Sequence, residues 1–434
     1  MANEWPRVEV AQLLARSVLA IGDGYRAKNE ELGGVGLPFC RAGNIQSGFD
    51  FADADRYPAA NLGRVGDKIS RPGDAVFTSK GTVGRFAFVT QGTETFVYSP
   101  QLCYWRSLEP GVLDSRYLYY WMLSPEFAAQ YRAVAGQTDM ADYVSLGDQR
   151  RMWIRLPDIR VQRGVGATLR SLDDKIELNR RMSETLEATA QALFKSWFVD
   201  FDPVRAKADG RDPGLPPHVA ELFPDRLVDS ELGEIPAGWS IRGLDQIARF
   251  LNGLALQKYP PEEGFSLPVI KIAQLHSGTA CDADRATADL EPDYVVEDGD
   301  VLFSWSGSLE CVLWAGGRGA LNQHLFRVSS SEFPKWLYYL WIKHHLADFR
   351  QIAEGKATTM GHIQRHHLSA ARVVLPPSRV LTQLDAVVAP LIDGAWRRRV
   401  ESRTLAVIRD SLLPGLISGE LRVPTTEAIA ESAP

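Results

Sequence analysis

Cysteine is scarce in this 434-residue sequence, and long apolar runs are missing altogether. The four cysteines, at 40, 103, 281 and 311, lie far apart with no Cys-x-x-Cys pair, which argues against a zinc ribbon or a disulfide framework and fits a reducing compartment. No stretch of about 18 apolar residues occurs, so no membrane-spanning helix is predicted. Residues 1–10, MANEWPRVEV, contain neither a basic leader nor an apolar h-region, and a cytoplasmic location is the expectation. Catalytic signatures are missing as well. Gly355-Lys356 is followed by Ala357 rather than Ser or Thr, and the glycines at 33, 34 and 36 and at 316, 317 and 319 do not form GxGxxG after a strand. No GxSxG turn is present, and the Pro-Pro pairs at 216, 260 and 376 lack the neighbours of an amino-methyltransferase tetrad. The chain is therefore expected not to be an enzyme by itself.

The formal charge of −6 would ordinarily count against a nucleic-acid partner. Its distribution is uneven: Asp200 to Glu234 holds 9 acids against 4 bases, and the flanking blocks are close to neutral. Such blocks have room for a local basic surface, which is what phosphate contact requires. Seven of the eight histidines fall within residues 237–376, where His362 and His366 have the i, i+4 spacing of metal ligands. A third ligand is not in evidence there, so no metal is expected.

What the sequence does contain is a repeat of itself, visible in four colinear blocks. LPFCRAGNIQSG at 37–48 matches LPVIKIAQLHSG at 267–278, sharing Leu37, Pro38, Ser47 and Gly48 at an offset of 230. GDAVFTSKG at 73–81 matches GDVLFSWSG at 299–307, where Gly73, Asp74, Phe77 and Gly81 recur as Gly299, Asp300, Phe303 and Gly307 at an offset of 226. LYY at 118–120 recurs at 337–339, and Gly136 recurs as Gly355, both at 219. Residues 172–193 match 391–412 at the same 219, retaining Leu172, Asp174, Arg180, Ser183, Thr185, Leu186 and Leu193. Trp5 and Gln12 match Trp239 and Gln246 at 234. In this frame Cys40 and Cys103 align with Ile270 and Leu325, which marks both as core positions.

Each half carries short β-type runs punctuated by Gly and Asp, such as DAVFTS, RFAFV, LCYWR and DVLFSW, followed by a long helix. Leu169, Leu172, Ile176, Asn179, Ser183, Leu186, Ala190, Leu193 and Trp197 step by three and four as a heptad seam, in which Asn179 and Ser183 are register-setting rather than stabilising positions. Leu391, Leu405, Leu412 and Leu416 keep the stripe in the second half, and Pro414 is expected to kink or end that helix. Two helices with one apolar stripe each are best satisfied by each other. The expected fold is α+β: two repeated α/β domains separated by a pair of long antiparallel coiled-coil helices, with pseudo-two-fold symmetry. The expected boundaries are a first domain at 1–160, a first helix at 161–198, an acidic Pro-rich linker at 199–236, a second domain at 237–376, a second helix at 377–421 and a tail at 422–434.

A duplicated domain on a rigid bar suits the reading of two positions on something long, and DNA is the obvious object. The phrases SWFVDFDPVRAK at 196–207, LGEIPAGW at 232–239, TTMGHI at 358–363 and LLPGLISGELRV at 412–423 carry a resemblance to the specificity subunit of type I restriction-modification systems, extending over essentially the whole chain. One departure is the first half's opening, EWPRVEV, where the second has PAGW. The resemblance implies a noncatalytic DNA-binding subunit whose two target-recognition domains each read half of a split target. The helices would set the gap and dock two modification subunits, with or without two restriction subunits. S-adenosylmethionine, ATP and Mg would belong to those partners. The alternatives are a specificity subunit of a methylation-only system, and a bivalent protein-protein scaffold without DNA readout.

Base readout needs amide or forked donors at a groove edge, whereas phosphate contact needs charge. At matching places in the repeat stand Arg41, Asn44 and Gln46 against Lys271, Gln274 and His276, then Lys80 and Thr82 against Ser306 and Ser308, and Gln101 against Asn322, Gln323 and His324. These residues, with Lys356 and His362, are the candidate DNA contacts. Trp305 and Trp121 are read as core groups. Arg180, Arg181, Glu184, Arg397, Arg398 and Arg399 are the candidate partner-docking residues, on the outer faces of the two helices.

Overall fold

A computed structural model describes residues 5–46, 48–135, 143–355 and 361–423. Ser47, Gly136, Lys356 and residues 358–360 of the TTMGHI phrase lie outside the described residues. The chain forms two compact units: unit 1 comprises Met1–Asp174 and Leu405–Pro434, and unit 2 comprises Lys175–Thr404.

Unit 1 begins with β1 (Arg7–Glu9), α1 (Val10–Ala15), β2 (Leu19–Asp23), β3 (Gly36–Cys40) and β4 (Arg56–Pro58). Then come β5 (Ala75–Thr78), β6 (Phe86–Phe88), β7 (Val97–Tyr98), β8 (Leu102–Ser107), α2 (Ser115–Leu123), α3 (Pro125–Ala135), α4 (Leu146–Arg150) and β9 (Trp153–Arg155). A four-stranded sheet has the order β2-β8-β5-β6, a three-stranded sheet the order β4-β3-β7, and β1 pairs with β9. Successive side chains of a strand point to opposite faces, and β5 uses both. Ala75 and Phe77 enter a core with Trp105, Tyr117 and Trp121, while Val76 enters another with Leu102 and Tyr104. Asp114 starts α2 by accepting from the N–H groups of Arg116 and Tyr117, and the helix then buries Leu118 and Tyr120 of the LYY phrase.

α5 (Ile159–Phe194) reaches Asp174 within unit 1 and continues in unit 2. Unit 2 adds α6 (Asp202–Ala208), α7 (Pro217–Ala220), β10 (Leu227–Ser230), β11 (Gly233–Pro236), β12 (Ser240–Gly243), β13 (Arg249–Asn252) and β14 (Ser266–Ile270). There follow α8 (Ile272–Ser277), β15 (Arg285–Thr287), β16 (Val295–Val296), β17 (Val301–Ser304), β18 (Cys311–Leu313), β19 (Gly319–Leu321) and β20 (Leu325–Ser329). The unit continues with α9 (Lys335–Glu354), α10 (Arg365–Ala370), β21 (Arg372–Leu375) and α11 (Ser378–Ser418), whose residues from Leu405 belong to unit 1. Its sheets are β13-β20-β17-β18 and β15-β14-β19-β16, with separate pairs β12-β21 and β10-β11. The first of these sheets has the strand order of β2-β8-β5-β6, and β14 runs parallel to β19 as β3 does to β7.

The repeated Gly-Asp has a physical cause that is the same in both units. Gly73 and Gly299 turn the chain with φ of +97° and +91°, a region that side chains with a Cβ avoid. The aspartate that follows accepts a backbone N–H from the turn, Asp74 from Arg71 and Asp300 from Glu297. Each also meets an arginine on the neighbouring strand. Arg106 donates twice to Asp74, at 2.6 and 2.7 Å, and Arg327 pairs with Asp300 at 3.0 Å.

In unit 2, Asn179 Nδ2 donates to Glu401 and Ser183 Oγ donates to the carbonyl of Ala395. In unit 1, Asp173 pairs with Arg409, while Val165 and Leu169 share a core with Leu413, Leu416 and Ile417. Within each unit, residue numbers therefore rise along α5 as those facing them fall along α11.

Two expectations are corrected, and at Pro414 one of two expected outcomes is excluded. The stretch at 199–236 read as a linker is folded into unit 2, with Phe201, Val204, Val219, Phe223 and Ile235 in its main core. Two of its prolines open helices: Pro203 and Pro217 stand in the first turns of α6 and α7, where the missing N–H costs no hydrogen bond. At Pro414, expected to kink or end the helix, α11 does not end but continues to Ser418, because Leu416 and Ile417 are buried beyond it. Cys103 pairs with Phe77 as Phe326 pairs with Phe303, so its equivalent is Phe326, one residue from Leu325.

Candidate nucleic-acid interface

In unit 1 the end of β3, the β5–β6 hairpin and the start of β8 meet at one edge. The N–H of Arg41 donates to Asn44 Oδ1 at 2.8 Å, and Asn44 Nδ2 donates to the Asp50 carbonyl, so this amide holds its own turn. The Arg41 guanidinium pairs with Asp55 at 2.5 Å. Gln101 Oε1 accepts the N–H of Ala42, which brings the approach to β8 against the same turn. Lys80 lies 5.9 Å from the ring centre of Tyr143, and exposed Thr82 offers its carbonyl to Thr78. Gln46 is exposed. Arg85 was missed from the sequence, although it donates to the carbonyls of Ala42 and Ile45 and so ties the hairpin to the turn.

Unit 2 repeats the first part of this arrangement. Lys271 pairs with Asp284 as Arg41 does with Asp55, and its N–H donates to Gln274 Oε1 at 3.1 Å. The Lys271 ammonium holds the Asp284 carboxyl below the usual carboxylate range. These four candidates therefore do equivalent local work in the two units, a cation tied to a carboxylate and an amide closing a turn. The remaining candidates differ. His276 Nε2 meets Ser308 Oγ at 3.0 Å, joining the α8 turn to the β17–β18 hairpin. Ser306 is buried, and its hydroxyl meets His324 Nδ1 at 2.9 Å. Asn322 Oδ1 accepts the N–H of His324, and Gln323 Nε2 lies 3.3 Å from His324 Nε2.

His362 stands beside Ser306 in a backbone bridge, as Tyr143 stands beside Lys80. The adjoining bonds match as well: Ile363 N–H donates to the Trp305 carbonyl and Val144 N–H to the Ser79 carbonyl, each at 2.9 Å. Tyr143 was also missed, yet the offset of 219 carries His362 onto it. Trp305 is not simply a core residue, because its half-buried ring sits among these polar groups. Trp121 is fully buried, as read. Among the described residues no three His, Cys, Asp or Glu side chains gather as a metal-binding group, and no helix is long and apolar enough to cross a membrane.

No family model matches the chain. It is 24% identical over 408 residues to the type I restriction enzyme HindI specificity subunit of Haemophilus influenzae, which spans 82% of this chain and 88% of that protein. The MjaIX specificity subunit of Methanocaldococcus jannaschii is 24% identical over 318 residues, 71% of this chain and 69% of that protein. This chain is a relative of type I restriction specificity subunits. The crystal structure of the type I restriction-modification S subunit from M. genitalium matches with a TM-score of 0.54 at 14% identity, over 96% of this chain and 97% of that one, which shows a shared fold.

The docking candidates suggested by that resemblance fall into two groups. Arg180 pairs with Glu177 and Glu184 along α5, and Arg181 with Glu177, all on an exposed face. Arg397 is exposed too, and Arg398 donates to the Gly394 carbonyl one turn back. Arg399 is a correction: it turns inward, donating to Ser183 Oγ at 3.0 Å and pairing with Glu187. Its guanidinium satisfies a carboxylate that Tyr339 and Lys343 also approach. Burial pushes the Glu187 carboxyl upward, but Arg399, Tyr339 and Lys343 outweigh it and leave the group below its ordinary range.

Proposed function

We propose that this chain is the DNA sequence-recognition subunit of a type I restriction-modification complex. Each unit reads one half of a bipartite double-stranded target, and α5 and α11, as a coiled-coil pair, set the spacer and dock two modification subunits. The halves are a duplicated target-recognition domain, with blocks 1–160 and 237–376 carrying the readout. The chain itself performs no chemistry; S-adenosylmethionine, ATP and Mg act on the partner subunits, with or without two restriction subunits, in the cytoplasm.

One observation carries this reading. Two sheets of the same strand order bring their turns to an edge where the frame recurs and the polar side chains differ, as in Lys80 against Ser306 and Tyr143 against His362. Two readers of different sequences would be built this way, because phosphate contacts position a protein while base-edge contacts specify it.

The test uses the chain assembled with its modification subunits and a duplex pool with a randomised region. Selection should enrich one split motif, and binding should weaken steeply with salt through counterion release. Affinity that is flat with salt, together with no enriched motif, would replace this reading with the protein-protein scaffold. Transfer of methyl groups from labelled S-adenosylmethionine by the purified chain alone would overturn the noncatalytic assignment.

A further inference from the structure

Resting on that reading, we infer that Trp305 is the positioning residue for readout by unit 2, and that the pair it aims at DNA is Gln323 and His324. Its indole N–H is shared by two acceptors from different segments, Asn252 Oδ1 at the end of β13 at 2.8 Å and the Gln323 carbonyl in the β19–β20 turn at 3.1 Å. Its carbonyl takes the N–H of Ile363. The ring centre lies 5.9 Å from that of His324, 6.1 Å from Phe326 and 6.3 Å from His362. One side chain thus spans from the main core of unit 2 to three separate segments of the edge. The equivalent residue in unit 1 is Ser79, whose hydroxyl meets, among the described residues, Cys103 and the Gln101 carbonyl. The tryptophan is a device of one reader alone.

The hydrogen bonds around His324 also fix what the pair presents. An amide nitrogen only donates, so with the Gln323 amide nitrogen facing His324 Nε2 that nitrogen accepts, and Nδ1 is left to donate to Ser306 Oγ. That arrangement occupies one N–H of the Gln323 amide and leaves its oxygen and second N–H as an acceptor and a donor side by side. In the major groove the complementary edge is adenine, with its N6 donor and N7 acceptor. A held amide discriminates; a loose one contacts any base.

The experiment is selection from the same randomised duplex pool by the assembled complex. The unsubstituted complex should enrich an adenine at a fixed position of one half-site. Trp305→Phe keeps the ring and removes the N–H, Asn252→Leu removes one acceptor, and Gln323→Ala removes the reader. Each should lower the preference at that position about tenfold or more, while the other half-site and the salt dependence of binding stay unchanged. Trp305→Phe combined with Asn252→Leu should do no more than Trp305→Phe alone, because the N–H that Asn252 accepts is already gone. A structural role without readout would instead lower the melting temperature and weaken both half-sites together, which overturns the inference, as would an unchanged motif in all three variants. An unsubstituted complex that enriches no motif removes the proposed function and this inference with it, whereas a bipartite motif lacking the adenine overturns only the latter.

Discussion

On the hairpin that follows β5, unit 1 carries Ser79, Lys80 and Arg85; on the one that follows β17, unit 2 carries Trp305, Ser306 and Glu310. The backbones agree closely, since Thr78 N–H donates to the Arg85 carbonyl and Ser304 N–H to the Glu310 carbonyl, each at 2.9 Å. The charges do not agree. Arg85 reaches the α-carbon frame of the 41–45 turn through two carbonyls, while Glu310 is paired with Lys343 and Arg350 of α9. Backbone requirements are thus met identically, and the side chains outside those requirements are free to diverge, even in sign.

The strongest way to break this comparison is at the shared aspartate. Asp74 is fully buried and Arg106 is 8% exposed, whereas Asp300 and Arg327 are 19% and 25% exposed. Asp74→Ala strands a buried guanidinium and should cost about 3–5 kcal/mol in unit 1. Asp300→Ala should cost about 1 kcal/mol in unit 2, where water reaches the arginine. Hydrogen exchange, read separately on each unit, will show the contrast; equal losses would mean that the equivalence of the two pairs extends to energy.

A smaller effect sharpens the comparison within α11, between arginines two positions apart. Arg399→Leu leaves Glu187 without its guanidinium and should cost about 2 kcal/mol, while Arg397→Leu should stay within about 0.5 kcal/mol. The pH dependence has a definite sign. Because the folded state holds the Glu187 carboxyl below its ordinary range, its contribution is present above the unfolded value of about 4.3 and is lost as pH falls through the folded one. Melting temperature should therefore drop more steeply on acidification in the unsubstituted chain than in Glu187→Gln. Parallel curves would remove Glu187 from the account.

The smallest effect concerns the outer face. Arg180, Arg181 and Arg397 changed together to Glu should reduce co-purification with the modification subunit a few-fold, about 1 kcal/mol or less, with no change in melting temperature. Unchanged recovery would make them ordinary solvated charges. Arg399 must be left out of such a set, since its replacement would disturb α11 itself.

The frame was legible in the sequence because its residues answer to single physical demands. Gly73 and Gly299 need a positive φ, and Asp74 and Asp300 need an arginine across the sheet, so both recur at a fixed offset. The segment at 199–236 was misread because prolines were counted as breakers, although Pro203 and Pro217 open helices and Phe201 and Val204 are core. Arg399 was misplaced because charge alone does not reveal that polar Ser183 on the seam waits for a partner. Among the candidate site residues, Asn44 and Gln274 proved to close their own turns, and Tyr143 and Arg85 were passed over. A side chain's reach across two loops is a property of tertiary geometry, which a local pattern cannot carry.

The two units also differ in how the chain supplies them. Unit 2 is built from one continuous stretch, Lys175–Thr404, whereas unit 1 joins the first 174 residues to the last. Leu413, Leu416 and Ile417 share a core with Val10, Leu13 and Val165. During synthesis, then, the later unit can complete its core with the first part of α11, through Ile392, and the earlier one must wait with an apolar face uncovered until Leu413, Leu416 and Ile417 of the same helix have left the ribosome. The unit begun first is the one finished last.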